Sequence, residues 1–194
     1  MPEAEQQKTW LLFIYRVPQE PPGRRTYVWR QLKQLGAIYL QQAAAILPDQ
    51  PALRTALETL AARIRDYSGE VSLLETASPS AAWEQQLVLR FNEARNAEYG
   101  EVIENVERFE DEIRREERKG RFHFAQLEDL DADCHKLAQW QERITQRDFF
   151  DAAGKADAIA ALARAHTALE RFTAAVYTHE EGNGDQLGVP DGDA

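Results

Sequence analysis

Five cations near the start of the chain, Arg16, Arg24, Arg25, Arg30 and Lys33, have the types and spacing to hold an anion. They fall in the stretch WLLFIYRVPQEPPGRRTYVWRQLK, Trp10 to Lys33. There an apolar run stops at an arginine, a proline-rich turn follows, and Gly-Arg-Arg leads into a helical pattern. A helix N-terminus presents unbonded N–H groups and partial positive charge, so arginines in its first turn favour a phosphate-like or sulfate-like dianion. The planar guanidinium fork also donates two parallel hydrogen bonds to a tetrahedral oxyanion. The competing reading is a set of solvated surface arginines. Tyr27 and Trp29 interleave with Arg25 and Arg30, a pattern that serves nucleic-acid stacking. Packing of the two rings against a sheet or neighbouring domain is the reading favoured for them.

Two further groups invite chemistry. Cys134 lies on the apolar seam of one helix and His166 interrupts the seam of the next. An antiparallel pair turning near residue 151 sets position 134 opposite about position 167, so the two are expected to meet. A thiol beside an imidazole gains thiolate character and senses oxidants. A buried inert cysteine beside a satisfied histidine is the plainer reading, and the one preferred. Arg95, Glu98, Tyr99, Arg147 and Asp148 read as a structural polar clamp that fixes the register of a helical bundle. Arg147 also complements a helix C-terminus. His123, His135, His166 and His179 have no metal-binding spacing, and the acidic run Glu128 to Asp133 reads as a solvated face. No catalytic residue, metal or cofactor is expected: the chain has neither a dinucleotide glycine motif nor a cysteine pair.

The elements that must position these residues fall into two periods. Residues 1–77 read as strand, helix, two short strands, helix, strand: a ferredoxin-like βαββαβ sandwich, making the whole chain α+β. Trp10 to Val17 is the first strand, buried on both faces. Pro21 or Pro22 opens the first helix, where a missing N–H costs nothing. Val28, Leu32 and Leu35 face inward, and Gly36 stops the helix. AIYLQ and AAILP are paired short strands, and Pro51 opens a second helix bearing Leu53, Leu57, Leu60 and Ile64. After ASPSAAW only the helical period remains. Residues 78–179 read as an antiparallel bundle of about three long helices, with Gly120 as a break and Ile159, Leu162, His166, Leu169 and Val176 along the last seam. Residues 180–194 form an acidic, glycine-rich tail expected to be disordered.

The 194 residues, 43% hydrophobic and 29% charged, describe a soluble globular chain, and no apolar run reaches the ~18 residues of a membrane span. The polar, acidic start and the single cysteine lead to a cytoplasmic expectation. A net charge of −10 opposes nonspecific nucleic-acid coating. That charge is uneven: between residues 8 and 48 six cations stand against Glu20 alone, a face able to bind an anion locally.

Four segments give the chain a resemblance. WLLFIYRVPQEP, VWRQLKQLGAIYLQ, FNEARNAEYGEV and RITQRDFF, in that order, resemble the N-terminal region of the ChrB family of chromate-resistance proteins, over about residues 9–177. The resemblance implies a chromate-responsive regulator, with chromate or a similar tetrahedral oxyanion as ligand and operator DNA or a protein as target. A homodimer is expected. Longer ChrB proteins continue into a second domain, where this chain has its acidic tail. The first half is also similar to the fold of CRISPR-associated integration nucleases and of a domain of the phenylacetate repressor PaaX. Nuclease action there needs a metal-binding aspartate at the end of the first strand, where this sequence has Arg16-Val17. The alternatives are an interaction scaffold without a small ligand and, less favoured, a nuclease or chromate reductase.

Overall fold

The computed structural model of the chain describes residues 8–185, with side chains to residue 181. Nine elements follow in order: β1 Thr9–Arg16, α1 Arg24–Gln34, β2 Ile38–Gln41, β3 Ala44–Pro48, α2 Pro51–Asp66, β4 Glu70–Ala77, α3 Ala81–Lys119, α4 Phe124–Thr145 and α5 Gly154–Asp185. They divide into two compact units. One reaches to Ala94 and takes in Arg147–Asp151, and the other holds Arg95–Gln146 and the chain from Ala152 on.

In the first unit the four strands form one antiparallel sheet in the order β2-β3-β1-β4, the ferredoxin-like arrangement expected. Side chains alternate along a strand, so central β1 feeds two cores. Leu11, Phe13 and Tyr15 meet Val28 and Leu32 of α1 and Leu57 and Ile64 of α2. On the opposite face Trp10 packs with Ile38, Ile46, Leu87 and Phe91. Phe149 and Phe150 join this second core, their rings 6.0 and 5.4 Å from that of Phe91. The sheet is therefore covered by α1 and α2 on one side. The opening turns of α3 and the 147–151 segment cover the other.

Helix boundaries follow local chemistry. The first helix opens at Arg24 and not at Pro21 or Pro22, because Gly23 holds φ +100°, a left-handed conformation that no helical residue shares. Its other end closes on Gly36 at φ 83°. Pro51 does open α2, where its missing N–H is no loss. Ser80 Oγ accepts the Trp83 N–H at 3.2 Å and caps α3. That helix runs unbroken for 39 residues to Gly120, about 58 Å at 1.5 Å per residue.

The second unit is a helical bundle with one apolar core. Tyr99, Val102, Val106, Phe109 and Ile113 come from α3, and Leu130, Cys134 and Ile144 from α4. The seam of α5 differs from the expected one. Ile159 is 50% exposed and His166 is also exposed, while Ala158, Ala161, Ala165 and Ala168 line the core beside Leu162, Leu169 and Phe172. Alanine gives a weak hydrophobic signal in sequence, yet its small side chain occupies the seam where α5 lies against the other helices. The same helix extends to Asp185, through the first residues of the stretch expected to be a disordered tail; residues 186–194 lie outside those described. No described helix is long and apolar enough to cross a membrane.

A polar relay pins the buried Trp10. Its indole N–H donates to Ser78 Oγ at 2.8 Å, and Ser78 Oγ donates to Glu84 at 2.9 Å. Lys8 Nζ closes the relay on Glu84 at 3.0 Å. The hydrogen bond from Lys8 holds the Glu84 carboxyl below the usual range; that from Ser78 adds to this and burial opposes it. A lowered folded-state pKa contributes stability above the unfolded value, and the contribution is lost as pH falls through the folded value. At pH 7 the wild type is expected to melt above Glu84→Gln, and the gap should close as acid protonates Glu84. A gap unchanged into acid would contradict this relay.

Candidate anion interface

α1 turns two residues into the core, Val28 and Leu32, at i and i+4. Its outer surface is left to Arg25, Thr26, Trp29, Arg30 and Lys33, all exposed. Residues four apart lie one above the other on a helix, so Arg25, Trp29 and Lys33 form a row with Arg30 beside it. The helix contains no acidic residue. Among the described residues Arg16, Arg25, Arg30 and Lys33 take part in none of the ion pairs. Arg24 and Arg25 stand in the first turn, where the macrodipole is also positive. Like charge is thus concentrated there without an acidic partner, a condition an anion relieves.

The structure does not bring all five predicted cations together. Arg24 is engaged: its guanidinium donates to the carbonyls of Glu20 at 3.4 Å and Tyr67 at 3.3 Å and lies 4.8 Å from the centre of the Tyr67 ring. Arg16 is exposed at the end of β1. Strand alternation sets it with Trp10, Leu12 and Ile14, on the face opposite α1. The surface is consequently an open one built on Arg25, Arg30 and Lys33. Trp29 is 48% exposed, which departs from the packed ring expected. Tyr27 is 38% exposed and meets Tyr67 edge-on, beside an α1–α2 groove of about 440 Å³ that Arg63 also lines.

Four residues here were missed in sequence. Arg63 donates to the Tyr67 hydroxyl at 3.2 Å, so Tyr67 anchors two guanidinium groups. Tyr15 and Tyr39 share a hydroxyl hydrogen bond of 2.9 Å. Burial, with the Tyr15 hydrogen bond, pushes the Tyr39 phenol far above its ordinary range, and the charge of Arg25 opposes the shift. The Tyr39 hydroxyl, held neutral, therefore lies within the field of Arg25. The available signal was positional: Tyr15 ends the inward row Leu11, Phe13, Tyr15.

The predicted polar clamp is divided between the units, with Arg95, Glu98 and Tyr99 in the second. Arg95, 2% exposed, pairs with Glu98 at 3.2 Å, and the buried Tyr99 shares a hydrogen bond with Thr145 at 3.5 Å. Arg147 and Asp148 are half-buried in the first unit. An α3–α4 groove of about 580 Å³ holds Arg108, Lys136, Arg143 and Trp140. There Lys136 is held by Asp133 at 2.7 Å and Arg108 lies 3.7 Å from Glu104, so two of its cations have acidic partners where those of the α1 row have none among the described residues. No group of three or more potential metal ligands occurs among the described residues.

The family profile described as "Protein ChrB, N-terminal" matches residues 25–183, well over half of the chain. The chain belongs to the ChrB family. The Protein ChrB of Cupriavidus metallidurans (strain CH34) is 34% identical over 92 residues, which is 47% of this chain and 28% of that relative. The match to this curated relative thus spans under a third of its length. No solved structure matches the chain. The matched region takes in Arg25, Trp29, Arg30 and Lys33 and begins after Arg16 and Arg24.

Cys134 and His166 do meet, with Sγ 3.8 Å from Nδ1. Burial pushes the thiol up, and the charge of Asp131 adds to it, the reverse of an activated cysteine. The native protein is expected to react with Ellman's reagent at least tenfold more slowly than the urea-unfolded chain. Equal rates for the two would contradict this assignment.

Proposed function

We propose that this protein is a cytoplasmic, chromate-responsive regulator that meets phosphate or oxyanion through the outward face of α1. The observation that carries the reading is that face itself: Arg25, Trp29 and Lys33 in one exposed row, Arg30 beside them, and no acid on the helix. An open cationic surface suits a polyanion, because successive phosphates can each meet one cation. An exposed indole among the cations adds a stacking surface for an unpaired base or a sugar edge. Operator DNA is thus the favoured target. Chromate, a tetrahedral dianion, would compete for the same guanidinium groups.

Family membership supports the chromate connection and the charge pattern supports the anion. The net charge of −10 makes binding local and not a coating of the whole molecule. We read the protein as a binding protein and not a nuclease, since β1 ends in Arg16 and a cation cannot ligate a divalent metal.

Duplex from upstream of the protein's own operon would be titrated with the full chain across a salt series. Each titration would be run without anion, with chromate and with sulfate. Binding should weaken steeply with salt, and Arg25→Ala or Lys33→Ala should each flatten the log–log slope by about one. Chromate should weaken binding at concentrations where sulfate does not. Absence of binding at low salt would overturn direct DNA recognition by this chain.

A further inference from the structure

The sheet of the first unit has two edges, and they are treated differently. β2 is four residues long, and its Tyr39 carbonyl is already taken by an Arg90 guanidinium N–H at 2.7 Å. β4 is eight residues long and lies beside β1 alone. The register shows which of its backbone groups are spent. Tyr15 N–H donates to Ala43 and Asp49 N–H to Thr9, so the odd-numbered residues of β1 bond toward β3 and the even-numbered ones toward β4. The β4 residues opposite those even positions are Glu70, Ser72, Leu74 and Thr76. Val71, Leu73, Glu75 and Ala77 therefore direct their N–H and C=O groups outward. A long edge of this kind is a template for another strand.

Side chains next to the edge point the same way. Leu74 is 48% exposed and Ile14 40%, and Leu12 stands directly beside Leu74 in the register. All three lie on one face of the sheet, with Leu12 half-buried, and form a partly covered apolar patch that reaches the free edge.

We infer that β4 pairs with β4 of a second copy, antiparallel about a two-fold axis through Leu74. The strand is complementary to itself in this register. Leu73 faces Glu75 of the second copy, and Val71 faces its Ala77. These are the outward-pointing residues, so each pair exchanges both N–H···O bonds, and each occurs twice across the axis. Ser72 faces Thr76, and no acid faces an acid. Leu74 meets its own copy in a non-hydrogen-bonded pair, the closer of the two pair types. The two apolar patches become one, and the two sheets join into one antiparallel sheet. A shift by one residue would set outward backbone groups against side chains on the wrong face. A second copy accounts for the free backbone groups and the apolar patch together. This interface stands apart from the regulatory reading, since neither DNA nor chromate enters it.

Sedimentation of the full chain at about 100 µM tests the assembly, whose mass depends on concentration. A species of twice 22.1 kDa is expected for the wild type. Leu74→Lys, which sets two charges face to face, should give the monomer with an unchanged far-ultraviolet circular dichroism spectrum. Leu74→Cys tests the register: its two thiols would fall within disulfide reach and give a cross-linked dimer on oxidation. Ser72→Cys should not, because its copies stand about 13 Å apart along the strands. Cys134 is buried and stays in place, with the wild type as its control. A wild type monomeric at that concentration would overturn the inference. So would a dimer that fails to cross-link at Leu74→Cys, or that cross-links equally at Ser72→Cys.

Discussion

The two-sided burial of β1 is the constraint on which the first unit depends. Its odd residues complete the core under α1 and α2, and Trp10 seeds the core beneath α3. Trp10 stacks on Phe91 at 5.8 Å and meets Phe150 at 5.9 Å, while its indole N–H is satisfied by Ser78. Burying a ring of this size contributes several kcal/mol, and truncating one typically costs about 3–5 kcal/mol. The bulk of that core lies near the start of β1. Toward the far end of the strand the cover thins, leaving Ile14 and Leu74 in solvent.

The same division of labour frees the outer side of α1. Val28 and Leu32 are the buried residues of the helix, so its outer row Arg25, Trp29 and Lys33, with Arg30, is left exposed. A helix with cations in its first turn works against its own dipole, a cost of about 0.3–1 kcal/mol per charge at an exposed site. Arg24 escapes this by leaning on the Tyr67 ring and two carbonyls. Arg25, Arg30 and Lys33 have no such relief, and the proposed anion site rests on that repulsion. The acid-rich second unit has the contrary design: Arg114, Lys119, Arg164 and Arg171 each lie against a carboxylate. These four cations are paired, whereas Arg25, Arg30 and Lys33 of α1 take part in none of the ion pairs among the described residues.

The order of elements was legible because punctuation and period agree. Gly36, Pro51, Gly69 and Gly120 sit at or next to element ends, and the inward rows of α2 and α3 follow a clear helical spacing. What escaped the sequence was non-local. The start of α1 turned on the backbone angle of Gly23, which an adjacent pair of prolines masks. The α5 seam was misplaced because large Ile159 outweighs small alanines on a hydrophobicity count, although close helix packing selects the small ones. Phe149 and Phe150 read as part of a turn, yet they pack on the sheet far away in sequence. At the site, residue type identified the cations, but strand alternation separated Arg16 from the rest, and the Tyr67 ring withdrew Arg24. The exposure of Trp29 was legible only in three dimensions, since a ring at that spacing fits either a packed or an open face.

The central claim is that placement of charge, and not its amount, makes α1 the anion surface. Two triple variants test it with equal change of net charge: alanine at Arg25, Arg30 and Lys33, and alanine at Arg108, Lys136 and Arg143 of the α3–α4 groove. Both would be titrated against the same operon duplex at fixed low salt. The account predicts that the first triple loses at least tenfold in affinity and most of the salt dependence, while the second stays within about twofold of the wild type. Equal losses for the two, or a larger loss for the groove triple, would contradict it.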